Sequence, residues 1–295
     1  METSRACFTG WKYYLIGLMS LVLLFIPDSG WSGDLTVEPG GLLIQKVPIG
    51  EVYDLSKESG ITLKIYNKLD RPITYKISAK RPSETGSGRW MAGYQEIPDP
   101  GWLSFGSGEV TIEAQRVGEV KMYLKIPPER GYYNQHWAVT VVVEGQLKPG
   151  EVFALAAYLP FEIETEQKER AGKRPWGKIR VEPSLLTVRS AEKEKKKVKI
   201  YNNDGEDHKY RIQVGIPPDR SLTRRISPSP GHSELPDPSW IGISHTEVVI
   251  KQGKMKEVSV WPRLPRVLPS PGPWETLLWV ESESGETAFI RVDVE

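Results

Sequence analysis

The sequence predicts an all-β chain built as two β-sandwich units in tandem. Three observations carry this: apolar residues alternate with period two in one segment after another, no long segment has a helical period, and four landmarks recur in the same order. Of 295 residues, 39% are hydrophobic and 26% charged, the composition of a folded soluble protein. Lys plus Arg number 39 against 38 for Asp plus Glu, a net charge of +1, so nucleic acid and acidic membranes are not expected partners.

The first element is an address. Arg5 and Lys12 lead into an uncharged run of 14 residues, Tyr13 to Ile26, which Pro27 and Gly30 stop short of a membrane-spanning length. Residues 1–32 are therefore expected to be a signal peptide, cleaved after Ser32. The alternative is an uncleaved anchor, with Tyr13, Tyr14 and Trp31 at a membrane interface, and membrane contact is expected only through this segment. Cys7 is the single cysteine and precedes the apolar run, so it is not a lipid acceptor. Export to the periplasm or cell surface is the expected location. The exported part then has no disulfide and must be held by its core.

The landmarks define the units. Lys64-Ile-Tyr-Asn67 recurs as Lys199-Ile-Tyr-Asn202, Ile97-Pro-Asp-Pro-Gly-Trp-Leu103 as Leu235-Pro-Asp-Pro-Ser-Trp-Ile241, and the strand Trp137–Glu144 as Trp274–Glu281, at offsets of 135, 138 and 137. Val37-Glu38-Pro39 matches Val181-Glu182-Pro183 at an offset of 144, which places about nine extra residues near 45–60 of the first copy. The domains expected are 33–166 and 177–295, joined by a charged linker at 167–176. In the first unit, strands are expected near 42–47, 61–66, 73–79, 109–114, 119–126, 136–144 and 152–163. The second repeats the pattern through Val198 and Ile200, Tyr210 to Val214, and Val258 and Val260. Each copy also inserts a long stretch, 80–100 and 216–238, ending in Pro-Asp-Pro-x-Trp, and inserted loops of this length are commonly functional.

These residues resemble a family. Copies that begin Val-Glu-Pro, continue into a strand ending in Asn, and later read Trp102-Leu-Ser104 or Trp240-Ile-Gly-Ile-Ser244 before a Glu-Val strand look like the pilus-chaperone and major-sperm-protein branch of immunoglobulin-like folds. They are also similar to bacterial WxL-interacting surface proteins. The resemblance implies two tandem immunoglobulin-like, pilus-chaperone-like β-sandwich domains and no active site. Pilus chaperones donate a strand to a subunit and hold its terminal carboxylate with an Arg and a Lys between the domains. Here the strand Phe153 to Ile163 has no Lys or Arg, and the first strand offers only Lys46.

No catalytic motif accompanies the strands. His136, His208, His232 and His245 lack metal-ligand spacing; His136 and His208 open strands, where half-exposure is expected. No nucleophile elbow, phosphate loop or dinucleotide pattern occurs, so neither an enzyme nor a cofactor is expected. Asp99 and Asp237, beside Trp102 and Trp240, are residue types that bind sugar or calcium, but Pro-Asp-Pro favours a local reading in which Asp caps backbone amides and Trp anchors the loop. The run Ala191 to Lys197 reads as an exposed basic turn. Arg220, Arg224 and Arg225, with Trp90 and Tyr94, are the candidate contacts for a partner; Tyr132 and Tyr133 add aromatic surface. The function expected is a non-enzymatic interaction or scaffolding protein of the cell envelope that holds an envelope or surface protein. The alternatives are a chaperone-like strand donor and a glycan-binding module.

Overall fold

The structure is a computed structural model describing residues 35–86, 92–146, 154–168, 177–189, 195–215, 226–265 and 272–295. The leader, Trp90 and the three arginines of the second inserted loop lie outside the described residues. In the first unit the strands are β1 (Leu35–Glu38), β2 (Leu42–Val47), β3 (Val52–Asp54), β4 (Leu63–Asn67), β5 (Ile73–Lys80), β6 (Gln95–Glu96), β7 (Leu103–Phe105), β8 (Glu109–Ile112), β9 (Val117–Val120), β10 (Met122–Lys125), β11 (His136–Gly145) and β12 (Ala156–Thr165). The second unit holds β13 (Ile179–Glu182), β14 (Leu185–Val188), β15 (Lys196–Asn202), β16 (His208–Val214), β17 (Ser233–Glu234), β18 (Ile241–Ile243), β19 (Glu247–Ile250), β20 (Met255–Pro262), β21 (Trp274–Ser282) and β22 (Thr287–Val294).

Each unit is a sandwich closed by the same strand exchange. In the first, β1 pairs antiparallel with β4 in one layer, and β2 crosses to the other layer to run parallel to β12 in the order β2-β12-β11-β5-β8. In the second, β13 pairs with β15 and β14 crosses to run parallel to β22 in the order β14-β22-β21-β16-β19. Period-two side chains from both layers fill each core: Leu63, Ile65, Tyr75, Val139 and Phe161 in the first, Val198, Ile200, Tyr210, Val258 and Ile290 in the second.

The repeated landmarks bond to one another, which explains why they recur. Tyr66 donates its hydroxyl to Glu38 at 2.9 Å and Tyr201 does the same to Glu182 at 2.8 Å, tying Val-Glu-Pro to Lys-Ile-Tyr-Asn across the β1–β4 and β13–β15 pairs. The Asn that ends each motif is buried. Asn67 donates to the carbonyls of Arg71 and Ile112 at 2.8 and 3.0 Å, and Asn202 to those of Glu206 and Ile250 at 2.7 and 2.9 Å. One amide thus closes a turn and pins a neighbouring strand.

The extra residues of the first copy have a visible consequence. They form β3 and a single helical turn, Leu55–Glu58, capped by the Asp54 carboxylate. β3 pairs with β10, which also pairs with β7, while β9 stays with β4. The single strand expected over 119–126 is therefore broken at Lys121, because its two halves serve different partners. In the second unit, which lacks the insertion, β20 runs unbroken for 8 residues.

Replacing Asn202 by Ala removes the donor to both carbonyls, of which that of Ile250 is buried. The expected loss is about 2–3 kcal/mol of stability, read as a lower urea midpoint at unchanged slope.

Candidate functional site

Two strands of each unit are buried on both faces, which one sandwich core cannot do. His136–Val143 of β11, Phe161–Thr165 of β12, Trp274–Val280 of β21 and Ala288–Val292 of β22 are buried at every position. Their inward residues fill the cores, and their outward residues meet each other between the units. Tyr94, Ala138, Ile226, Leu277, Trp279 and Phe289 form an apolar cluster distinct from either core. The imidazole of His136 stacks on the Phe289 ring at 4.0 Å between centroids and 2° between planes. Gly93 sits with φ +90° so close to Phe289 that a Cβ there would meet the ring at 2.5 Å.

A charged network closes the cluster. Arg291, 2% exposed, donates from Nε to both oxygens of Glu164 at 2.9 and 2.8 Å, from Nη2 to Glu164 Oε1 at 2.7 Å, and from Nη1 to Glu275 at 2.5 Å. Glu164 also accepts from the Tyr94 hydroxyl at 2.5 Å and the Gln45 amide at 2.9 Å. Ser229 donates to Glu275 at 2.5 Å and accepts from Gln45 at 2.9 Å. Burial opposes ionisation of Glu164, but the charge His136 takes up in acid, the charge and hydrogen bonds of Arg291 and the bond from Tyr94 outweigh it and hold the carboxyl below its ordinary range. Burial also drives His136 down to about 4, so the stacked ring is neutral.

Several expected roles change. Tyr94, expected as a partner contact, is 3% exposed and serves the seam between units, because its hydroxyl is needed by Glu164. His136 and His208, expected half-exposed, are both buried: the first is covered by Phe289, and the second bonds Asp204 at 3.1 Å. The described ends of the inserted loops, 92–97 and 226–238, are fastened at particular residues. Gly93 donates to Thr287 at 2.8 Å, Gln95 to the Ile179 carbonyl at 2.9 Å, and Ile226 joins the apolar cluster. Asp99 accepts from the Gly101 amide and Asp237 from the Ser239 amide, each at 2.8 Å, at the start of one turn of 3-10 helix. Trp102 packs on Tyr132 and Trp137, and Trp240 on Trp274.

The fixed seam leaves an open cleft of about 1040 Å³ beside it. Lys46 enters from the first unit, Lys168 from the start of the linker, and Lys195, Lys196, Lys197 and Lys199 from the second unit. The cleft's carboxylates are engaged: Glu166 accepts from the Ile49 amide at 2.8 Å, Glu182 from Tyr201, and Glu257 pairs with Lys197 at 3.0 Å. Lys46 is aimed by a bulge. Ile44 pairs with Ile163 and Val47 with Thr165, so Gln45 and Lys46 both stand opposite Glu164. Lys46 takes φ +57°, strained for a side chain of its size, and the turn sends Gln45 into the seam and Lys46 into the cleft.

The last strand of the first unit supplies no cation; they come from β2, from the segment after β12, and from β15, which no single stretch of sequence places together. Among the described residues no group of three or more His, Cys, Asp or Glu is placed to hold a metal.

No family model and no curated protein matches the chain. Solved structures similar to it include a Porphyromonas gingivalis W83 protein of unknown function, at 13% identity over 89% of this chain and 100% of that one, with a TM-score of 0.34. The E. coli chaperone DraB is 10% identical over 89% of this chain and 98% of its own, with a TM-score of 0.30. The Salmonella enterica SafA pilin in complex with the SafB chaperone gives 10% identity, coverage of 88% and 95%, and a TM-score of 0.31. Likeness at these identities and scores says nothing about what this chain binds.

Two outcomes follow from the seam. The folded value of His136 lies below its ordinary 6.5, so the unfolded chain binds the extra proton between pH 6.5 and about 4. Its contribution is full above pH 6.5 and is lost as pH falls towards 4, by up to about 3 kcal/mol; Glu164 adds a loss of the same sign at lower pH. Melting temperature measured from pH 7 to 4 should fall, and His136→Phe, which keeps the stack without the proton site, should flatten that fall. Arg291→Met should cost about 3–5 kcal/mol by leaving Glu164 and Glu275 buried without a cation, and calorimetry should show the units melting separately.

Proposed function

We propose that this chain is an exported, non-enzymatic binding protein of the cell envelope that holds a protein partner by adding an extended segment of the partner to β12. Export rests on the basic leader and short apolar run of residues 1–32. The division into 33–166 and 177–295 is part of the same reading, supported by one apolar core on each side of the charged linker.

The observation that carries the reading is a half-open strand. β11 pairs with β12 along its whole length, but β2 covers the other edge only from Phe161 onward. Residues 156–160 therefore have one edge with no partner strand among the described residues. Gly145 donates to the Leu155 carbonyl at 2.8 Å, which sets the alternation: odd-numbered residues from 155 bond inward to β11, and Ala156 and Tyr158 point their amides and carbonyls outward. The open stretch is apolar, with Tyr158 48% exposed, and carries no Lys or Arg to repel an incoming strand; Pro160, which has no amide, ends it, so Ala156 and Tyr158 are the residues that offer both an amide and a carbonyl. This is the geometry of strand addition, in which main-chain bonds supply affinity and alternate side chains supply selectivity. The strand-donating reading is thereby favoured over a passive scaffold.

The test separates main chain from side chain. Tyr158→Pro removes one outward amide without touching the β11 ladder, and Tyr158→Ala keeps the amide and loses only the ring. Capture of an envelope protein by the purified chain should be lost with Tyr158→Pro and largely kept with Tyr158→Ala, both variants melting like the parent. Equal capture by all three proteins would rule out pairing at this edge.

A further inference from the structure

We propose that the lysine-lined cleft between the units binds an extended phosphodiester polyanion, a site separate from the β12 edge. The chain as a whole is nearly neutral, at +1, yet this cleft brings together six lysines against three carboxylates, of which Glu257 pairs with Lys197 while Glu166 and Glu182 accept from the Ile49 amide and the Tyr201 hydroxyl. Positive potential is therefore concentrated in one concave place.

The arrangement suits a polymer better than a single anion. At about 1040 Å³ the cleft far exceeds one carboxylate or phosphate. Lys197 and Lys199 project from the same face of β15, since Val198 and Ile200 between and beyond them are core, and this sets their charges about 6.6 Å apart along the strand. Lys46 of the first unit and Lys168 of the linker line the same cleft, so an extended chain lying in it meets cations from more than one segment. Lys168 rests over the Tyr133 ring at 4.5 Å and Lys195 over the Trp261 ring at 4.7 Å, which positions both ammonium groups without spending a carboxylate on them.

The residue type narrows the ligand. Among the described residues no arginine lines the cleft, so they offer point charges and not the planar fork that grips a carboxylate with two parallel bonds. Point charges at regular spacing read a repeating phosphodiester. The backbone gives a second, independent sign: Lys46 is held at φ +57° by the bulge opposite Glu164, a conformation glycine would adopt without strain. A lysine at a position where glycine would sit without strain points to a use for its ammonium group.

Fluorescence anisotropy on the full exported chain tests this, with a labelled glycerol-phosphate oligomer as probe and a poly-glutamate of matched charge as rival. The oligomer should bind at 50 mM salt and weaken about 50- to 150-fold by 200 mM, as expected for roughly four ammonium–phosphate contacts. Lys197→Gln with Lys199→Gln should weaken it at least about tenfold with melting unchanged, because both side chains lie on the surface. Lys46→Gly should weaken binding while melting holds or rises, a combination that a merely structural lysine would not give. Tyr158→Pro should leave oligomer binding intact, so that failure here is distinguishable from failure of the strand-pairing reading. No binding at 50 mM salt, or full binding by the double variant, overturns the proposal. Poly-glutamate binding as tightly as the oligomer also overturns it, assigning the cleft to an acidic polypeptide.

Discussion

The contact between Arg291 and Glu164 is the constraint on which the rest of the molecule depends. Two sandwiches joined by a charged linker are free to rotate unless their faces lock, and here a guanidinium on β22 inserts its fork into a carboxylate on β12. A buried pair of this kind adds little net stability over a well-packed apolar pair, since both charges must leave water. What it adds is direction. The apolar cluster around Trp279 and Phe289 supplies most of the attraction, while the pair admits one orientation in which Tyr94, Gln45 and Ser229 also find partners. The lysine cleft keeps its shape because its two walls are held by this seam.

How much of this was legible in the sequence depends on the range over which each residue acts. Period-two alternation and the repeated Val-Glu-Pro and Lys-Ile-Tyr-Asn landmarks act within one sandwich, so the β class, the duplication and most strands could be read directly. The split at Lys121 could not, since it depends on β3 arriving from the extra residues near 45–60. The seam was hidden for a different reason. Glu164, Glu275 and Arg291 stand far apart in the chain and look like ordinary outward-facing polar residues of strands. One signal was available: Trp137–Val143 and Leu277–Val280 are apolar at almost every position instead of alternating, which marks strands covered on both faces. Tyr94 misled for the related reason that an aromatic in a long inserted loop looks like surface until the covering unit is known.

The bulge in β2 shows how local strain and long-range order meet. Adjacent residues of a regular strand face opposite sides of the sheet, and inserting one residue opposite Glu164 breaks that rule for Gln45 and Lys46. Gln45 is turned towards Glu164 and Ser229, bridging the two units, and its neighbour is turned out into the cleft. A single irregularity thus couples the seam to the site. Loosening the seam would displace both residues together, so the positions of the cleft cations and the rigidity of the interface are one property of the fold.

The duplication also explains why the locking charges are placed asymmetrically. Two copies of one sandwich begin with the same outward face on their last two strands, and an apolar face shared by both copies attracts itself as readily as its partner. Here the first unit contributes Glu164 and Tyr94, and the second contributes Arg291, already satisfied in part by its own Glu275. Pairing two second-unit faces would bury Arg291 against Arg291, and pairing two first-unit faces would bury Glu164 against Glu164. Either arrangement leaves like charges desolvated together, at a cost of several kcal/mol. The charges therefore act mainly against the wrong pairing: they direct two related faces to close within one chain, and leave the edge of β12 and the lysine cleft open, the two surfaces proposed above as binding sites.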